Sequence, residues 1–286
     1  MAAGFDGLAD IHSTVIVNVA DDDTIHGLDL SPDLDTVIYT LAGVHGPEGW
    51  GRADETWAVN EELARFGLDN SFKLGDRDLA LNVYRTMRRR QGASLSRVTG
   101  EIAESFGLAT TVLPASNDPI RTKLRCGEWL DFQTYFVRRG HRDRVEEIRF
   151  DGIESARPAP GVLEAISAAD AIIVAPSNPI LSIRPVVEIP GLRAACEAIP
   201  RRIGISPLIG GSALKGPAAE VMETLGYPSG IAGVVHAYDG LLTDLVVDET
   251  DAHIRVEGPR IHSSDIRIAE RPAATRLAKE ILSWME

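Results

Sequence analysis

Short apolar, β-branched runs alternate along the chain with longer segments of helical periodicity. The runs at residues 14–19 (TVIVNV), 171–175 (AIIVA) and 202–205 (RIGI) are predicted to be buried strands, and a helical pattern follows each of them. Strands that alternate with helices indicate parallel βαβ units. The pattern therefore predicts an α/β fold with a Rossmann-like, doubly wound and mostly parallel sheet.

A region with a different pattern separates the first of these strands from the others. Residues 52–110 are predicted to be mainly helical, and residues 111–157 are predicted to be rich in strands. We therefore predict a Rossmann-like nucleotide- and metal-binding domain at 1–51 and 158–286, with a smaller inserted α+β lobe at 52–157 that covers the site. The individual elements are predicted as helices at 55–66, 78–90 and 273–284 and as strands at 111–113, 122–124, 132–137 and 147–150.

The beginning of the chain differs from the usual start of such a fold. Residues 1–9 (MAAGFDGLA) have the pattern of the end of a helix that leads into the first predicted strand. A doubly wound fold usually opens with a strand and a glycine-rich turn before this helix. Because loss of a central strand would leave unpaired backbone groups inside the sheet, we expect the opening strand to lie upstream of Met1.

Composition narrows the class of protein. Of the 286 residues, 44% are apolar and 25% are charged, which is the usual balance of a chain with a packed core. A net charge of −13 argues against a nucleic-acid binder, because phosphate backbones require a basic surface. Cys126 and Cys196 are too few for a disulfide framework or a zinc site. With no apolar run of about 18 residues and no signal-peptide pattern, the sequence predicts a cytoplasmic protein without a membrane partner.

The most informative segment follows the first predicted strand. Six aspartates fall within fifteen residues there, namely Asp21, Asp22, Asp23, Asp29, Asp33 and Asp35. Carboxylates this close repel one another unless a cation or solvent separates them. Oxygen ligands in a loop after a strand suit Mg²⁺, which typically takes one or two carboxylates together with phosphate oxygens. The alternative is a solvated acidic loop whose aspartates form turns and cap helices.

A second charged segment, residues 72–78 (FKLGDRD), combines both signs of charge around a glycine. Lys73 and Arg77 are candidates to hold a phosphate or a polar heterocycle, while Asp76 and Asp78 would orient them or cap the following helix. The alternative is a surface turn with local ion pairs. Further along, the arginines at 85 and 88–90 lie on a predicted helix and are expected to form a solvated face.

Two loops after the later predicted strands are candidates for phosphate binding. Residues 175–185 (APSNPILSIRP) offer small hydroxyl and amide groups on a path fixed by three prolines. Residues 206–216 (SPLIGGSALKG) are rich in glycine and carry Lys215. Backbone N–H groups in such loops can hold phosphates, although glycine-rich turns more often have no ligand.

Six motifs together resemble the 2-phospho-L-lactate transferase family, which includes the phosphoenolpyruvate transferases of bacterial coenzyme F(420) synthesis. They occur in the family's order and extend over almost the whole chain. The motifs are N-x-x-D-D at 18–22, P-D-L-D-T at 32–36, K-L-G-D-R-D at 73–78, L-P-A-S at 113–116, P-S-N-P at 176–179 and S-P-L-I-G at 206–210.

This resemblance implies an activity and a cofactor. A phospho-three-carbon acid, either phosphoenolpyruvate or 2-phospho-L-lactate, would pass from a guanosine diphosphate-linked donor to the ribityl hydroxyl of 7,8-didemethyl-8-hydroxy-5-deazariboflavin. GMP would leave, Mg²⁺ would assist, and the enzyme would be a homodimer. The implied catalytic residues are Asp35 and Asp21, the metal ligands Asp21, Asp35 and Asp22, and the deazaflavin contacts Asp35, Lys73 and Arg77. The guanosine diphosphate part would be held by Ser177, Asn178, Ser206, Gly210 and Gly211.

The sequence departs from the family's pattern at two places. The family opens with a strand and a G-G-x-G-G-type loop that helps to bind the nucleotide, and this sequence starts just after that position. Ala20 stands where some relatives have glycine. The alternative is a related, non-enzymatic regulatory protein that binds UDP-sugars and shares the strand followed by A-D-D. Residues 24–27 (TIHG) and the P-D-L-D-T motif favour the transferase.

Overall fold

The computed structural model describes residues 1–47, 49, 51–69, 72–213 and 216–285, so that Lys215 lies outside the described residues. A mixed α/β fold with parallel strand pairs is confirmed, whereas its doubly wound arrangement stays a prediction. The strands are β1 Thr14–Val17, β2 Asp23–Ile25, β3 Leu28–Leu30, β4 Thr111–Pro114, β5 Arg121–Cys126, β6 Glu128–Asp131, β7 Glu147–Asp151, β8 Ile172–Val174, β9 Arg202–Ile205, β10 Leu208–Ile209, β11 Ser212–Ala213, β12 Asp244–Val247 and β13 Arg260–Ser263. The helices are α1 Ala2–Phe5, α2 Pro32–Ala42, α3 Ala58–Arg65, α4 Asp76–Arg90, α5 Leu95–Ser105, α6 Val162–Ser167, α7 Arg184–Val187, α8 Leu192–Glu197, α9 Ala218–Thr224, α10 Gly230–Tyr238 and α11 Arg271–Ser283.

Four parallel strands form the largest sheet of the described chain, in the order β13-β12-β9-β8. Every residue of β12 (DLVV) is buried. An apolar run without alternation is typical of a parallel strand that is covered on both faces. The sequence predicted β8 and β9, but it did not predict β12 and β13.

β1 and β4 form a separate parallel pair, with Thr14 opposite Thr111. The core beside this pair includes Leu34 and Ile38 of α2 and Val98 of α5. Helix α2 begins at Pro32. Proline is tolerated there because an N–H at the first helical position would have no partner within the helix. The helix ends at Gly43, which has a φ of 70°. Because β4 belongs to the predicted lobe and β1 to the predicted larger domain, the two parts share this core, and their division stays a prediction.

The antiparallel sheet β6-β5-β7 lies within the predicted lobe. The strand predicted at 132–137 is wrong, because Thr134–Arg138 form a short π-helix. Phe132 and Phe136, four residues apart, stack with ring centroids 5.4 Å apart, and Tyr135 is buried. Apolar residues at 132, 135 and 136 follow helical spacing rather than strand alternation, and the aromatic content concealed this.

The hairpin β2–β3 directly follows β1. Its two-residue turn, His26-Gly27, has φ values of 52° and 75°, as the hairpin turn with two positive φ angles requires. Helix α4 holds the hairpin through the Thr86 hydroxyl, which accepts from Asp29 N–H at 2.7 Å, and through Arg90, which donates to the Gly27 carbonyl at 3.0 Å. Within the described ranges, no helix is long and apolar enough to cross a bilayer.

Candidate functional site

The acidic side chains of Asp21, Asp22 and Asp33 cluster near the carboxyl end of β1. The Asn18 amide nitrogen donates to Asp21 Oδ2 and to Asp33 Oδ2, each at 3.1 Å. The Asn18 amide oxygen in turn accepts from Ala20 N–H at 2.9 Å, which turns the chain as it leaves the strand. Asp33 lies in the first turn of α2, where the helix dipole favours a negative charge. Asn18 is therefore the bridge between the strand end and the helix start.

Residues from β5 and from the segment after β6 complete the surroundings of Asp21. The Thr122 hydroxyl of β5 donates to Asp21 Oδ1 at 3.0 Å, and the Gln133 amide donates to the Asp21 carbonyl at 2.9 Å. Asp22 accepts from the Ser31 hydroxyl at 2.9 Å through Oδ2. Its other oxygen, Oδ1, is buried and has no hydrogen-bond partner among the described residues. A cavity of about 60 Å³ borders Asp22 and is also lined by Arg121.

Burial dominates the ionisation of this cluster. It raises the pKa of Asp21 well above its usual range, and the nearby Asp33 raises that pKa further. Burial also raises the pKa of Asp22 to about 8 and raises the pKa of Asp33. The three carboxyl groups therefore do not ionise readily, because they are buried and have too little positive charge nearby. A divalent cation would supply the missing charge.

The donor set fits Mg²⁺ in part. Among the described residues, no group of three or more His, Cys, Asp or Glu side chains has the arrangement of a metal centre. Mg²⁺ commonly takes only one or two protein carboxylates and completes its shell with water and phosphate oxygens. The unpartnered oxygen of Asp22 and the uncompensated carboxyl group of Asp21 agree with such a site.

Asp35 lies two residues beyond Asp33 in the first turn of α2 and has a different partner. Both of its oxygens accept from the guanidinium of Arg85 on α4, at 3.1 Å for Oδ2 and closer for Oδ1. Asp35 is 4% exposed and Arg85 is 1% exposed. Burial raises the pKa of Asp35, and Arg85 opposes the rise. In the described chain, Asp35 shares no hydrogen-bond partner with Asp21, although Asp33 raises the pKa of both carboxyl groups. The prediction that both residues hold one metal stays a prediction.

Arg85 is a residue whose place the sequence analysis predicted wrongly. It was expected to form a solvated face with the arginines at 88–90, but it lies on the inward side of α4 beside Leu81 and Asn82. Its guanidinium also donates to the Asn82 side-chain oxygen at 2.5 Å. The available signal was register, because positions 78, 81, 82 and 85 form one helical stripe. Arg88 is partly solvated, as expected, and pairs with Glu101.

Lys73 and Arg77 lie where α4 begins. Both side chains are exposed and make no hydrogen bond or ion pair within the described ranges. Arg77 precedes Arg85 by eight residues on the same helix, which corresponds to about 12 Å along its axis. Asp78 accepts from the Tyr39 hydroxyl at 2.7 Å, and burial raises the pKa of Asp78 to about 6. Two side-chain pairs therefore join α2 to α4, namely Asp35 with Arg85 and Tyr39 with Asp78.

The predicted phosphate loops follow β8 and β9. Asn178 Oδ1 accepts from the N–H groups of Ile180 and Leu181, at 2.9 and 3.1 Å, while its amide nitrogen is buried without a partner among the described residues. Ser177 precedes it and is half-buried. The side-chain amide of Asn178 is thus a buried donor without a hydrogen-bond partner among the described residues.

The loop after β9 uses its polar groups internally. Ser206 is fully buried, and its hydroxyl accepts from Leu208 N–H at 3.0 Å. Gly210 and Gly211, with φ values of 58° and 77°, form the turn between β10 and β11. The N–H of Gly210 donates to the buried carboxylate of Asp251 at 2.9 Å. A donor phosphate would therefore have to compete with a carboxylate at Gly210.

The amino-acid sequence identifies the family of the chain. A family model described as 2-phospho-L-lactate transferase CofD matches residues 2–277. The chain belongs to this family. A phosphoenolpyruvate transferase from Kitasatospora aureofaciens is 37% identical over 96% of this chain and 89% of that protein. A 2-phospho-L-lactate transferase from Methanopyrus kandleri is 36% identical over 96% of this chain and 90% of that protein.

A solved structure supports the fold of the family member described here. The crystal structure of a UPF0052 family protein from Bacillus halodurans superposes with a TM-score of 0.62 over 98% of this chain and 93% of that chain. At 17% sequence identity the match concerns the fold alone. The family resemblance inferred from the six motifs is thus confirmed, while the individual roles of the site residues stay predictions.

Proposed function

We propose that this 2-phospho-L-lactate transferase family member acts in coenzyme F(420) biosynthesis. It would transfer phosphoenolpyruvate or 2-phospho-L-lactate from a guanosine diphosphate-linked donor to the ribityl hydroxyl of 7,8-didemethyl-8-hydroxy-5-deazariboflavin. The observation that carries the proposal is the cluster of uncompensated carboxyl groups at Asp21, Asp22 and Asp33, which suits a cation that neutralises donor phosphates.

The proposed step is a phosphoryl-type transfer. The acceptor hydroxyl oxygen forms a bond to the donor phosphorus that carries the acid, and the bond from that phosphorus to the GMP phosphate oxygen breaks. GMP leaves with the electron pair, and the hydroxyl proton passes to solvent. Such reactions depend mainly on positioning and on neutralisation of phosphate charge. Bound Mg²⁺ would supply that neutralisation.

The protein's own residues divide these tasks. Asp21 and Asp22 would hold the cation, since both lie in the cluster at the carboxyl end of β1. Asp35 would orient the acceptor hydroxyl or contribute to the cation. Each carboxylate oxygen has two lone pairs, and Arg85 occupies one lone pair on each oxygen of Asp35. The remaining lone pairs could accept from the acceptor hydroxyl or bind the cation. Arg85 would keep the Asp35 carboxylate in a fixed orientation.

The acceptor and donor would enter from different elements. Lys73 and Arg77 are exposed at the start of α4 and would hold the deazaflavin ring, with the ribityl chain directed towards Asp35. Ser177, Asn178, Ser206, Gly210 and Gly211 follow β8 and β9 at the carboxyl edge of the parallel sheet, where ligands of such sheets bind. The unpartnered amide of Asn178 is the best-placed donor for a phosphate.

One reconstitution tests the proposal. The purified protein is incubated with the deazaflavin, Mg²⁺ and each guanosine diphosphate-activated acid, and the products are identified by mass spectrometry. We expect GMP and one phosphodiester product, both dependent on Mg²⁺. Thermal shift with UDP-N-acetylglucosamine tests the regulatory alternative in parallel. Stabilisation by the UDP-sugar without any transfer product would replace the enzyme by a nucleotide-sugar binder.

Cell fractionation and light scattering complete the test. We propose a cytoplasmic homodimer that acts on small molecules, on the basis of family resemblance. A monomer in light scattering would remove the dimer from the proposal without affecting the transfer reaction.

A further inference from the structure

Two helices near the predicted acceptor residues cap each other. Helix α4 begins after Gly75, which has no side chain to accept from the free N–H groups of the first turn. Glu55, from the segment before α3, performs this task from a distance. Its Oε2 accepts from Arg77 N–H at 2.9 Å and its Oε1 from Asp78 N–H at 2.8 Å.

The reverse contact runs from α4 to α3. Asp76 Oδ1 accepts from Val59 N–H at 3.0 Å, and Asp76 Oδ2 accepts from Ala58 N–H at 3.1 Å and from the Thr56 hydroxyl at 2.6 Å. The N–H of Asp76 also donates to the Thr56 carbonyl at 2.9 Å. From the sequence, Asp76 was a candidate to orient Lys73 and Arg77 or to cap the following helix. In the structure Asp76 is the first residue of α4, and its side chain caps the preceding helix, α3.

Gly75 is required by this arrangement. A Cβ atom at position 75 would lie 2.6 Å from Glu55 Cγ and closer still to Cδ, although the φ of Gly75, −68°, would suit any residue. The usual helix cap, Ser or Asp at this position, would provide the same hydrogen bonds locally. The chain uses a remote carboxylate instead, and this choice joins the start of α4 to the segment before α3.

Among the described residues, one further hydrogen bond links α3 to the turn before α4. Of α3, only Asn60 is buried, and its amide donates to the Phe72 carbonyl at 3.5 Å. Lys73 follows directly, and Arg77 is itself one of the residues whose N–H is bound by Glu55. The orientation of the acceptor-side turn against α3 therefore depends largely on the hydrogen bonds of Glu55 and Asp76.

We propose that Glu55 is a positioning residue for acceptor binding, because its carboxylate fixes the turn that carries Lys73 and Arg77. The assignment rests on the proposed function. Its role goes beyond that of a helix cap: the tie between the two segments, and not the satisfied N–H groups alone, sets the positions of the two basic side chains.

A double variant separates these two roles. Glu55→Ala removes both the cap and the tie. Adding Gly75→Ser to it restores a local cap, since the space vacated by Glu55 admits the new side chain. We expect Glu55→Ala to raise the acceptor KM about tenfold, with kcat and the donor KM unchanged, and to lower Tm. The double variant should recover Tm while its acceptor KM stays raised. Glu61→Ala, an exposed carboxylate on α3, is the matched control and should change neither quantity.

Each outcome decides the assignment. An acceptor KM that returns to the wild-type value together with Tm in the double variant would reduce Glu55 to a helix cap and overturn the proposal. An unchanged acceptor KM in Glu55→Ala would also overturn it. If the wild-type protein catalyses the transfer in the same assay, the proposed function still stands. Absence of transfer by the wild-type protein would remove the proposed function and this assignment together.

Discussion

Replacement of Arg85 by methionine should strongly destabilise the protein. The change removes the partner of both Asp35 oxygens while it retains most of the apolar volume of the side chain. Removal of one member of a buried ion pair leaves an uncompensated charge and typically costs about 3–5 kcal/mol. Asn82 loses its donor as well, which adds about 1 kcal/mol when the amide oxygen stays buried.

The loss should depend on pH. Without Arg85, the pKa of the buried Asp35 carboxyl rises further above its unfolded value, so the protonated folded form is favoured. A carboxyl group whose folded pKa is raised costs least below the unfolded pKa and costs more as the pH rises towards the folded pKa. The free-energy loss in Arg85→Met is therefore expected to be smaller near pH 4 than at pH 7.

Urea unfolding followed by circular dichroism measures both effects. Arg88→Met is the matched control, because Arg88 pairs with Glu101 near the surface, where solvent screens the ion pair and its loss costs little. A loss below about 1 kcal/mol in Arg85→Met, equal to that of the control, would show that Asp35 does not need Arg85. A pH-independent loss would instead indicate that packing, not charge, was removed.

Three further results are expected. Asp21→Asn should abolish transfer yet raise Tm in the absence of Mg²⁺ at pH 8, because it removes a carboxyl group whose raised pKa opposes folding at that pH; a lowered Tm would contradict this. Lys73→Ala should raise the acceptor KM with unchanged Tm, since its side chain is exposed and unpaired in the described structure, and equal acceptor affinity would remove Lys73 from the site. Mg²⁺ should raise the wild-type Tm more at pH 8 than at pH 5, because Asp22, with a pKa raised to about 8, must lose its proton to bind the cation; an equal shift at both pH values would place the cation elsewhere.

Local signals in the sequence predicted the elements that local patterns control. The runs that became β1, β8 and β9 are apolar and β-branched, and the acidic segment after β1 follows the general rule for ligand positions in such sheets. The strand predicted at 132–137 is wrong because the prediction relied on composition. Its three aromatic residues are typical of strands, whereas their spacing is helical.

Tertiary partners could not be predicted in this way. Asp35 and Arg85 are separated by 50 residues, and Asp21 and Thr122 by 101, so nothing in either segment alone identifies the contact. That Asp21, Asp22 and Asp35 hold one cation stays a prediction; the sequence did not predict that Arg85 pairs with Asp35 or that Asn18 joins Asp33 to Asp21. The family motifs predict a site at these carboxylates, but the partners of each carboxylate depend on the packing of α2 against α4.

The close approach of Glu55 to Gly75 has an evolutionary consequence. The two positions are under a joint constraint, since a side chain at 75 and a glutamate at 55 would occupy the same space. Substitutions at the two positions should therefore be coupled. A lineage that acquires serine or aspartate at position 75 should also have acquired a shorter residue at position 55, and an isolated change at 75 should displace the Glu55 carboxylate from the start of α4.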